Sequence, residues 1–242
     1  MSDKAVGIIP VRYGSTRFPG KPLAVILGKP MIRWVYERAC QARLLDRVII
    51  ATDDERIMAA AGRFGAEARM TSPDHASGTD RVAEVARSVD AGIILNIQGD
   101  EPLVRGAMLD ALVEALRERK ASMATLMARV DDISLLNENH IVKVVADANG
   151  YALLFSRSPL PCGASDYFYQ HIGIYGYRRS LLLRYNRLPA SRLESVEKLE
   201  QLRALENGIR IRMIEIDRPT LSVDTPRDII DVEKRLRTRG HE

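Results

Sequence analysis

The chain has 242 residues, of which 46% are hydrophobic and 28% charged, with a formal net charge of +4, as expected of a globular enzyme that can bury a substantial core. No apolar run approaches the roughly 20 residues of a membrane-spanning helix, and the N-terminal apolar stretch is too short for a secretory signal. The cysteines, Cys40 and Cys162, lack the spacing of a disulfide framework or a zinc site, so we expect a cytoplasmic protein.

The first half of the chain alternates predicted strands with predicted helices. The strands are residues 6–10, 47–51, 66–70 and 92–98, and the helices are residues 31–43, 52–64, 79–89 and 106–120. Thr52 and Glu55 form a capping-box pattern at the start of the second helix. This order predicts βαβ units and a Rossmann-like, mostly parallel sheet flanked by helices. Such sheets bind ligands at the carboxyl ends of their strands, so the loops after residues 10, 51 and 98 are the candidate site.

The second half is predicted to be richer in β structure. Residues 142–146 and 151–156 flank Asn149-Gly150, a strong hairpin signal, and residues 170–177 read as a further strand. We expect a small β-rich insertion, at about residues 140–207, within a single domain spanning 1–242. A charged helix at 193–206 and a strand at 209–216 follow, and Thr225, Pro226 and Asp228 begin the last helix.

A cationic, glycine-containing loop, RYGSTRFPGKP at residues 12–22, follows the first predicted strand. Glycines allow backbone N–H groups to approach an anion closely, and Arg12, Arg17 and Lys21 match the charge of a triphosphate or pyrophosphate. Pro22 stands where the usual phosphate loop has serine or threonine. The alternative to an anion-binding role for this loop is an exposed basic turn with no ligand.

Two aspartates occupy separate turns. Asp100, in the segment QGDEP, follows the most apolar strand, where a carboxylate would point into the cleft and suit Mg²⁺. Asp224 lies in the turn VDTP, for which entry into the last helix is the alternative role. Glu101 could support a metal ligand from behind or simply form the turn, and it is not counted as a ligand.

The loop RYGSTRFPGKP closely resembles that of nucleotide-sugar cytidylyltransferases, in particular those that act on 3-deoxy-manno-octulosonate (Kdo). Eight further segments resemble the same family in the same order, so that the resemblance covers nearly the whole chain: ATDDERI, MTSPDHASGTDR, NIQGDEP, VKVV, YALLFSRSPLP, QHIGIYGYR, EKLEQLR and VDTPRD. It implies the fold of nucleotide-diphospho-sugar transferases and, for lipopolysaccharide synthesis, the transfer of CMP from CTP to Kdo with release of pyrophosphate. It also implies Mg²⁺ as cofactor and a homodimer.

The resemblance assigns roles to individual residues. It makes Asp100 and Asp224 the metal ligands and, with Lys21 and Arg12, the catalytic set. The expected CTP-binding residues are Arg12, Gly14, Ser15, Arg17, Lys21, Thr52, Asp53, Ser77, Gly78 and Arg81. The expected sugar-binding residues are Gln98, Arg157, His171, Tyr175, Glu200 and Gln201. Thr79 lies in the same segment as Ser77 and Gly78, and capping its helix is as much expected of it as a role on the nucleotide side. For His171, the alternative to sugar binding is a purely structural role.

Other functions stay open at this stage. Some relatives carry a longer, more polar loop where this chain has CGASDYFYQ, which leaves the fine shape of the sugar pocket open. The sugar could also be an 8-amino Kdo analogue or, less expected, a sialic-type nonulosonate. A catalytically silent CTP-binding regulator is a different class of function. A nucleic-acid-binding module is disfavoured, because the run KRLRTRG is short and no basic, aromatic-studded face is evident. No membrane partner is expected.

Overall fold

The computed structural model describes residues 3–14, 18–118, 120–163, 166–189 and 191–239. Its strands are β1 Ala5–Val11, β2 Val25–Ile26, β3 Lys29–Pro30, β4 Arg47–Thr52, β5 Ala68–Met70, β6 Ile93–Asn96, β7 Met123–Val130, β8 Lys143–Ala146, β9 Ala152–Ser156, β10 Phe168–Arg178 and β11 Ile211–Ile216. Its α-helices are α1 Met31–Ala39, α2 Glu55–Arg63, α3 Gly78–Arg87, α4 Gly106–Arg117, α5 Arg179–Tyr185, α6 Arg192–Glu197, α7 Gln201–Glu206 and α8 Pro226–Arg239. The chain divides into two compact units, one of residues 1–110 with 220–242 and one of residues 111–219.

The first unit is built on parallel strands. β1 pairs in parallel with β4 and β6, and β4 pairs in parallel with β5. Every residue of β1 is buried, as expected of a strand covered on both faces of a parallel sheet. The mixed α/β architecture with a mostly parallel sheet is therefore confirmed.

The second unit contains a mixed set of strands around β7. β7 pairs in parallel with β11 and antiparallel with β10, and β10 pairs antiparallel with β8. β8 and β9 form the predicted hairpin, closed by a turn in which Gly150 has φ of 74°. Strand β7 was not predicted from the sequence, because its segment MATLMARV lacks the alternation that marks a strand and has only two β-branched residues, Thr125 and Val130.

Two predicted caps were wrong by two residues each. Asp54, not Thr52, caps α2 by accepting from the N–H of Arg56 at 2.9 Å, because Thr52 is still paired in β4. Ser77 caps α3 by accepting from the N–H of Asp80 at 3.1 Å, so Thr79 lies inside the helix. Helix α8 begins at Pro226 as predicted, and the carboxylate of Asp228 in its first turn accepts from the N–H of Thr225 at 2.7 Å.

Two predicted helices differ from the observed ones. α1 ends at Ala39 rather than residue 43, because the N–H groups of Arg43 and Leu44 donate to the Asp110 carboxylate at 3.1 and 2.8 Å. The predicted helix at 193–206 is two helices, α6 and α7. They are separated at Lys198, whose φ of 55° is left-handed and ends α6.

Within the described residues, no helix combines the length and apolar character that crossing a bilayer requires. Cys40 and Cys162 are both free and exposed.

Candidate active site

The loop after β1 turns back through Gly20 and places a lysine over the carboxyl end of the strands. Gly20 has φ of 72°, and its N–H donates to the Tyr13 carbonyl at 3.0 Å, which closes the loop. Gly14 is exposed, and nothing lies within 4 Å of where its Cβ would be. The predicted residues Ser15 and Arg17 lie outside the described part of the chain.

Asp100 and Asp224 meet at this lysine. The Lys21 Nζ atom lies 2.7 Å from Asp100 Oδ2 and 3.6 Å from Asp224 Oδ1, and it also donates to the Val223 carbonyl at 2.8 Å. The Val223 N–H donates to the Asp100 carbonyl at 2.9 Å, which fixes the two turns to each other. Two carboxylates that are 124 positions apart in the sequence therefore share one cation.

Two neighbours shape the turn that carries Asp100. A Cβ at Gly99 would overlap the Val11 side chain, so glycine permits the close approach of this turn to the end of β1. Glu101 is buried. Burial, and then the charge of Asp100, raise the pKa of Glu101 to about 8. A largely protonated carboxyl is a poor ligand for a cation, which agrees with leaving Glu101 out of the ligand set.

The start of α3 forms another wall. Ser77 and Gly78 face a cavity, and a Cβ at Gly78 would meet Pro10 at 3.3 Å. Arg81 also lines the cavity, but it is buried and donates to the Thr71 hydroxyl, to the Ser72 carbonyl at 3.4 Å and to Asp53 at 2.7 Å. These contacts favour a role for Arg81 in holding the 71–77 loop. They favour it more than the pairing of Arg81 with phosphate that the sequence suggested.

Two predicted CTP-binding residues do not line this cavity. Thr52 is fully buried, and its carbonyl accepts from the N–H of Thr71 at 2.8 Å. Asp53 does not line the cavity itself, but its carboxylate accepts a hydrogen bond from Arg81, which does. Part of the polar surface of both residues is therefore already used within the protein, by Thr71 and Asp54 for Thr52 and by Arg81 for Asp53, and direct contact of either residue with CTP stays a prediction.

One pair of residues at the cavity was not predicted from the sequence. His75 lines it, and its Nε2 atom is hydrogen-bonded to Glu84, which also accepts from the N–H of Ser72 at 3.1 Å. His75 lies in a segment that resembles the family, but no local signal connects it to a glutamate nine positions later on α3.

These walls enclose a cavity of about 360 Å³ at the carboxyl ends of β1 and β6. Its lining residues are Pro10, Val11, Arg12, Lys21, Pro22, Met31, His75, Ala76, Ser77, Gly78, Arg81, Gln98, Gly99, Asp100 and Asp224. The Arg12 side chain is exposed and has no protein partner among the described residues. The Gln98 amide donates to Asn96 at 3.2 Å. A cation-lined pocket with paired carboxylates is suited to a nucleoside triphosphate.

The remaining predicted sugar-binding residues belong to the second unit. The Arg157 guanidinium donates through Nε to the Glu197 carbonyl at 3.0 Å and through Nη1 to the Asn139 carbonyl at 3.1 Å, which leaves Nη2 without a described partner. The Lys143 ammonium donates to the Arg157 carbonyl and so fixes the backbone there. The Arg157 side chain is therefore held in place, and its Nη2 group remains available to donate to a ligand.

His171 and Tyr175 form part of an aromatic row on β10. Their ring centroids are 5.4 Å apart, which agrees with the predicted common face of the strand, and nothing lies within 4 Å of where a Gly173 Cβ would be. Burial lowers the pKa of His171 to about 3 and raises that of Tyr175, so both are neutral at physiological pH.

Glu200 and Gln201 stand at the start of α7. The Glu200 carbonyl accepts from the Tyr185 hydroxyl at 2.9 Å. Gln201 is only 3% exposed, and its buried Nε2 atom has no hydrogen-bond partner. An unpaired buried donor is costly, so this amide is suited to a ligand that accepts a hydrogen bond.

The parallel α/β unit, its cationic loop and its paired carboxylates define a nucleotide-binding protein of the nucleotidyltransferase type. The sequence model of the cytidylyltransferase family matches residues 6–211. The chain belongs to the cytidylyltransferase family.

Similar proteins agree with this assignment over the full length. The chain is 50% identical to the 3-deoxy-manno-octulosonate cytidylyltransferase of Syntrophotalea carbinolica, over 95% of this chain and 97% of that protein. It is 54% identical to the protein of the same name from Syntrophobacter fumaroxidans, over 93% of this chain and 94% of the relative. A solved structure of CMP:2-keto-3-deoxy-manno-octonic acid synthetase complexed with CTP superposes with a TM-score of 0.93 at 44% identity, covering 98% of this chain and 99% of that one.

Proposed function

We propose that the chain catalyses the transfer of CMP from CTP to Kdo, with release of pyrophosphate, for lipopolysaccharide synthesis. The observation that carries this proposal is the meeting of Asp100 and Asp224 at the Lys21 ammonium, beside a pocket with further cationic side chains. The relatives named for this reaction support Kdo as the sugar.

The chemistry is an in-line substitution at phosphorus. The anomeric hydroxyl of the sugar attacks the α-phosphorus of CTP, so that a new oxygen–phosphorus bond forms. The bond from the α-phosphorus to the oxygen bridging it to the β-phosphorus breaks, pyrophosphate leaves and the hydroxyl proton passes to solvent. Such a reaction depends mainly on positioning and on the neutralisation of developing charge.

The charged residues of the cavity supply this neutralisation. Arg12 presents a guanidinium that no described residue uses, and it would bind the phosphates of CTP together with Lys21, Gly14, Ser15 and Arg17. Ser77 and Gly78 would contact the nucleotide directly, whereas Arg81 and Asp53 would hold their loop.

The paired carboxylates fit Mg²⁺. The described residues contain no group of three or more histidine, cysteine or acidic side chains suited to a metal, but Mg²⁺ commonly takes only one or two carboxylates and completes its shell with phosphate and water. The Lys21 ammonium already lies near both carboxylates, so Asp100 and Asp224 are placed to share a single cation. We propose that Asp100 and Asp224 hold Mg²⁺, which would neutralise phosphate charge when bound.

The sugar would be bound by Gln98, Arg157, His171, Tyr175, Glu200 and Gln201. The free Nη2 of Arg157 suits a sugar carboxylate, and the unpaired amide of Gln201 suits a sugar oxygen. The open space at Gly173 leaves room beside His171 and Tyr175.

The test is a pyrophosphate-release assay with CTP against Kdo, 8-amino Kdo and a sialic-type nonulosonate. We expect the highest kcat/KM with Kdo; a higher value with 8-amino Kdo or the nonulosonate would reassign the sugar. CTP binding without pyrophosphate release from any sugar would instead identify a non-catalytic regulator.

A matched pair of variants tests the carboxylates. Asp100→Asn should lower kcat by roughly 100-fold or more, since it removes a charge from the reacting centre. Asp131→Asn, which neutralises an aspartate whose side chain is 72% exposed, is the control and should leave kcat unchanged. Chelation with EDTA should abolish activity and added Mg²⁺ restore it. Near-normal turnover of Asp100→Asn would remove the ligand assignment.

We also propose that residues 1–242 act as one nucleotidyltransferase, with the β-rich part at about 140–207 contributing to sugar binding and to a cytoplasmic homodimer. α6 buries none of its residues, and its Val196 is 72% exposed, which supports a protein contact there. Light scattering should give twice the chain mass, and Val196→Asp should shift it toward the monomer.

A further inference from the structure

A buried threonine on β7 faces an irregular part of β10. The Thr125 Oγ1 atom lies 3.0 Å from His171 Nε2, 3.2 Å from the Ile172 carbonyl oxygen and 2.9 Å from the Ile174 carbonyl oxygen. The register of the two strands shifts between Ile172 and Tyr175, so the carbonyls of Ile172 and Ile174, two positions apart, both approach the one hydroxyl.

The protons of this cluster can be assigned from its donors and acceptors. A hydroxyl has one hydrogen to donate, and a carbonyl oxygen only accepts. Donation of the Thr125 hydrogen to His171 would leave two carbonyl oxygens within 3.2 Å of the hydroxyl oxygen with no hydrogen between them. Donation to the Ile174 carbonyl, at 2.9 Å, is therefore favoured, and the hydroxyl oxygen is then left to accept from His171. In that arrangement Nε2 of His171 carries a hydrogen.

The ring is neutral and is held on two sides. Burial lowers the pKa of His171 to about 3, so only one ring nitrogen is protonated at neutral pH. The ring of Phe155 packs edge-on at 4.9 Å between centroids, and that of Tyr175 lies at 5.4 Å. Nδ1 consequently bears a lone pair, and it has no hydrogen-bond partner among the described residues.

We propose that Thr125 is a positioning residue that fixes His171 as its Nε2-protonated tautomer, so that Nδ1 accepts a hydrogen bond from a hydroxyl of the bound sugar. The ligand half of this inference rests on the proposed function, whereas the tautomer does not. A specificity follows: the group that meets His171 must be a donor, so a sugar with an ether or a methoxy group there is rejected.

The tautomer is tested on the ligand-free chain by nitrogen-15 NMR of the histidine side chains. The His171→Asn variant identifies the signals of His171 among the four histidines. We expect a pyrrole-like Nε2 and a pyridine-like Nδ1 in the wild-type chain and in Thr125→Ser, which keeps the hydroxyl. Thr125→Val removes the acceptor and should raise the population of the Nδ1-protonated form. A wild-type ring protonated on Nδ1 overturns the proposal, and this measurement needs no variant at position 125.

Steady-state kinetics tests the consequence for the sugar. Thr125→Val should raise the KM for the sugar roughly tenfold, the effect of one hydrogen bond, with the KM for CTP within about twofold of wild type. Thr125→Ser should restore the wild-type KM. Equal losses for both substrates, or an unchanged sugar KM beside an altered tautomer, would refute the positioning role. Lack of turnover by the wild-type chain would contradict the proposed function, while the NMR result still decides the tautomer.

Discussion

The buried, neutral His171 should make the folded protein sensitive to acid. In the structure burial lowers the pKa of His171 to about 3, against an ordinary value of 6.5 in the unfolded chain. Between pH 6.5 and about 3, the unfolded chain therefore binds a proton at His171 that the folded chain does not bind. The stability that this histidine contributes is fully present above 6.5 and is lost as the pH falls from there toward 3.

The size of the effect follows from that difference. At about pH 5 the unfolded chain gains about 2 kcal/mol from protonating this one site, whereas at about pH 8 it gains almost nothing. Replacing His171 with asparagine removes the titration, although the substitution also changes packing by a constant amount. The wild-type chain should thus lose about 2 kcal/mol more stability than His171→Asn between these two pH values.

The assay is urea unfolding followed by circular dichroism, repeated across this pH range for both proteins. His140→Asn is the control, because the side chain of His140 is 75% exposed and is not buried on folding. Other titrating groups, such as Glu101, are common to all three proteins and cancel in the comparison. Parallel pH profiles for wild type and His171→Asn would refute the reasoning.

Three further substitutions make additional tests: two change contacts around the cavity, and the third changes a residue with a left-handed backbone conformation. Gly99→Ala should destabilise the fold by about 1–3 kcal/mol and lower kcat, because its Cβ would overlap Val11 and displace the turn; urea unfolding and turnover measure both. Asp53→Asn should cost about 3 kcal/mol and raise the KM for CTP, since it leaves the buried Arg81 without its carboxylate, and an unchanged KM would separate the 71–77 loop from CTP binding. Lys198→Gly should stabilise the chain slightly, by up to about 1 kcal/mol in thermal unfolding, because φ at this position is 55°; a lower melting temperature would contradict this.

The sequence predicted the elements of the first unit well because its signals are local and repeated. Apolar strands, helices between them and turn residues at their ends specify a parallel sheet, and the loops at one edge then become the candidate site. Arg12, Lys21 and Asp100 were identified in this way, and all three line the cavity.

The details that failed depend on contacts that are distant in sequence. Thr52, Asp53 and Asp54 are all suitable caps, and the choice among them is made by the pairing of β4, which still includes Thr52. β7 is a strand because β10 and β11 pair on its two sides, although its residues alone do not favour one. Partnerships such as that of His75 with Glu84 are likewise invisible before the chain folds.

The two sets of candidate residues offer physically different interactions, and this difference fits the two substrates of the proposed reaction. The cavity of the first unit presents charge, with Arg12 exposed and Lys21 held between two carboxylates, and a triphosphate needs such compensation. The aromatic row of the second unit presents neutral polar groups instead, because burial removes the charge of His171 and prevents that of Tyr175. Neutral groups with fixed donors and acceptors discriminate hydroxyl positions through the penalty for any group left unpaired. Under the proposed function, we therefore expect charge to dominate the binding of CTP, and hydrogen bonds from neutral groups to select among the sugar hydroxyls, so that the tautomer of His171 would affect specificity.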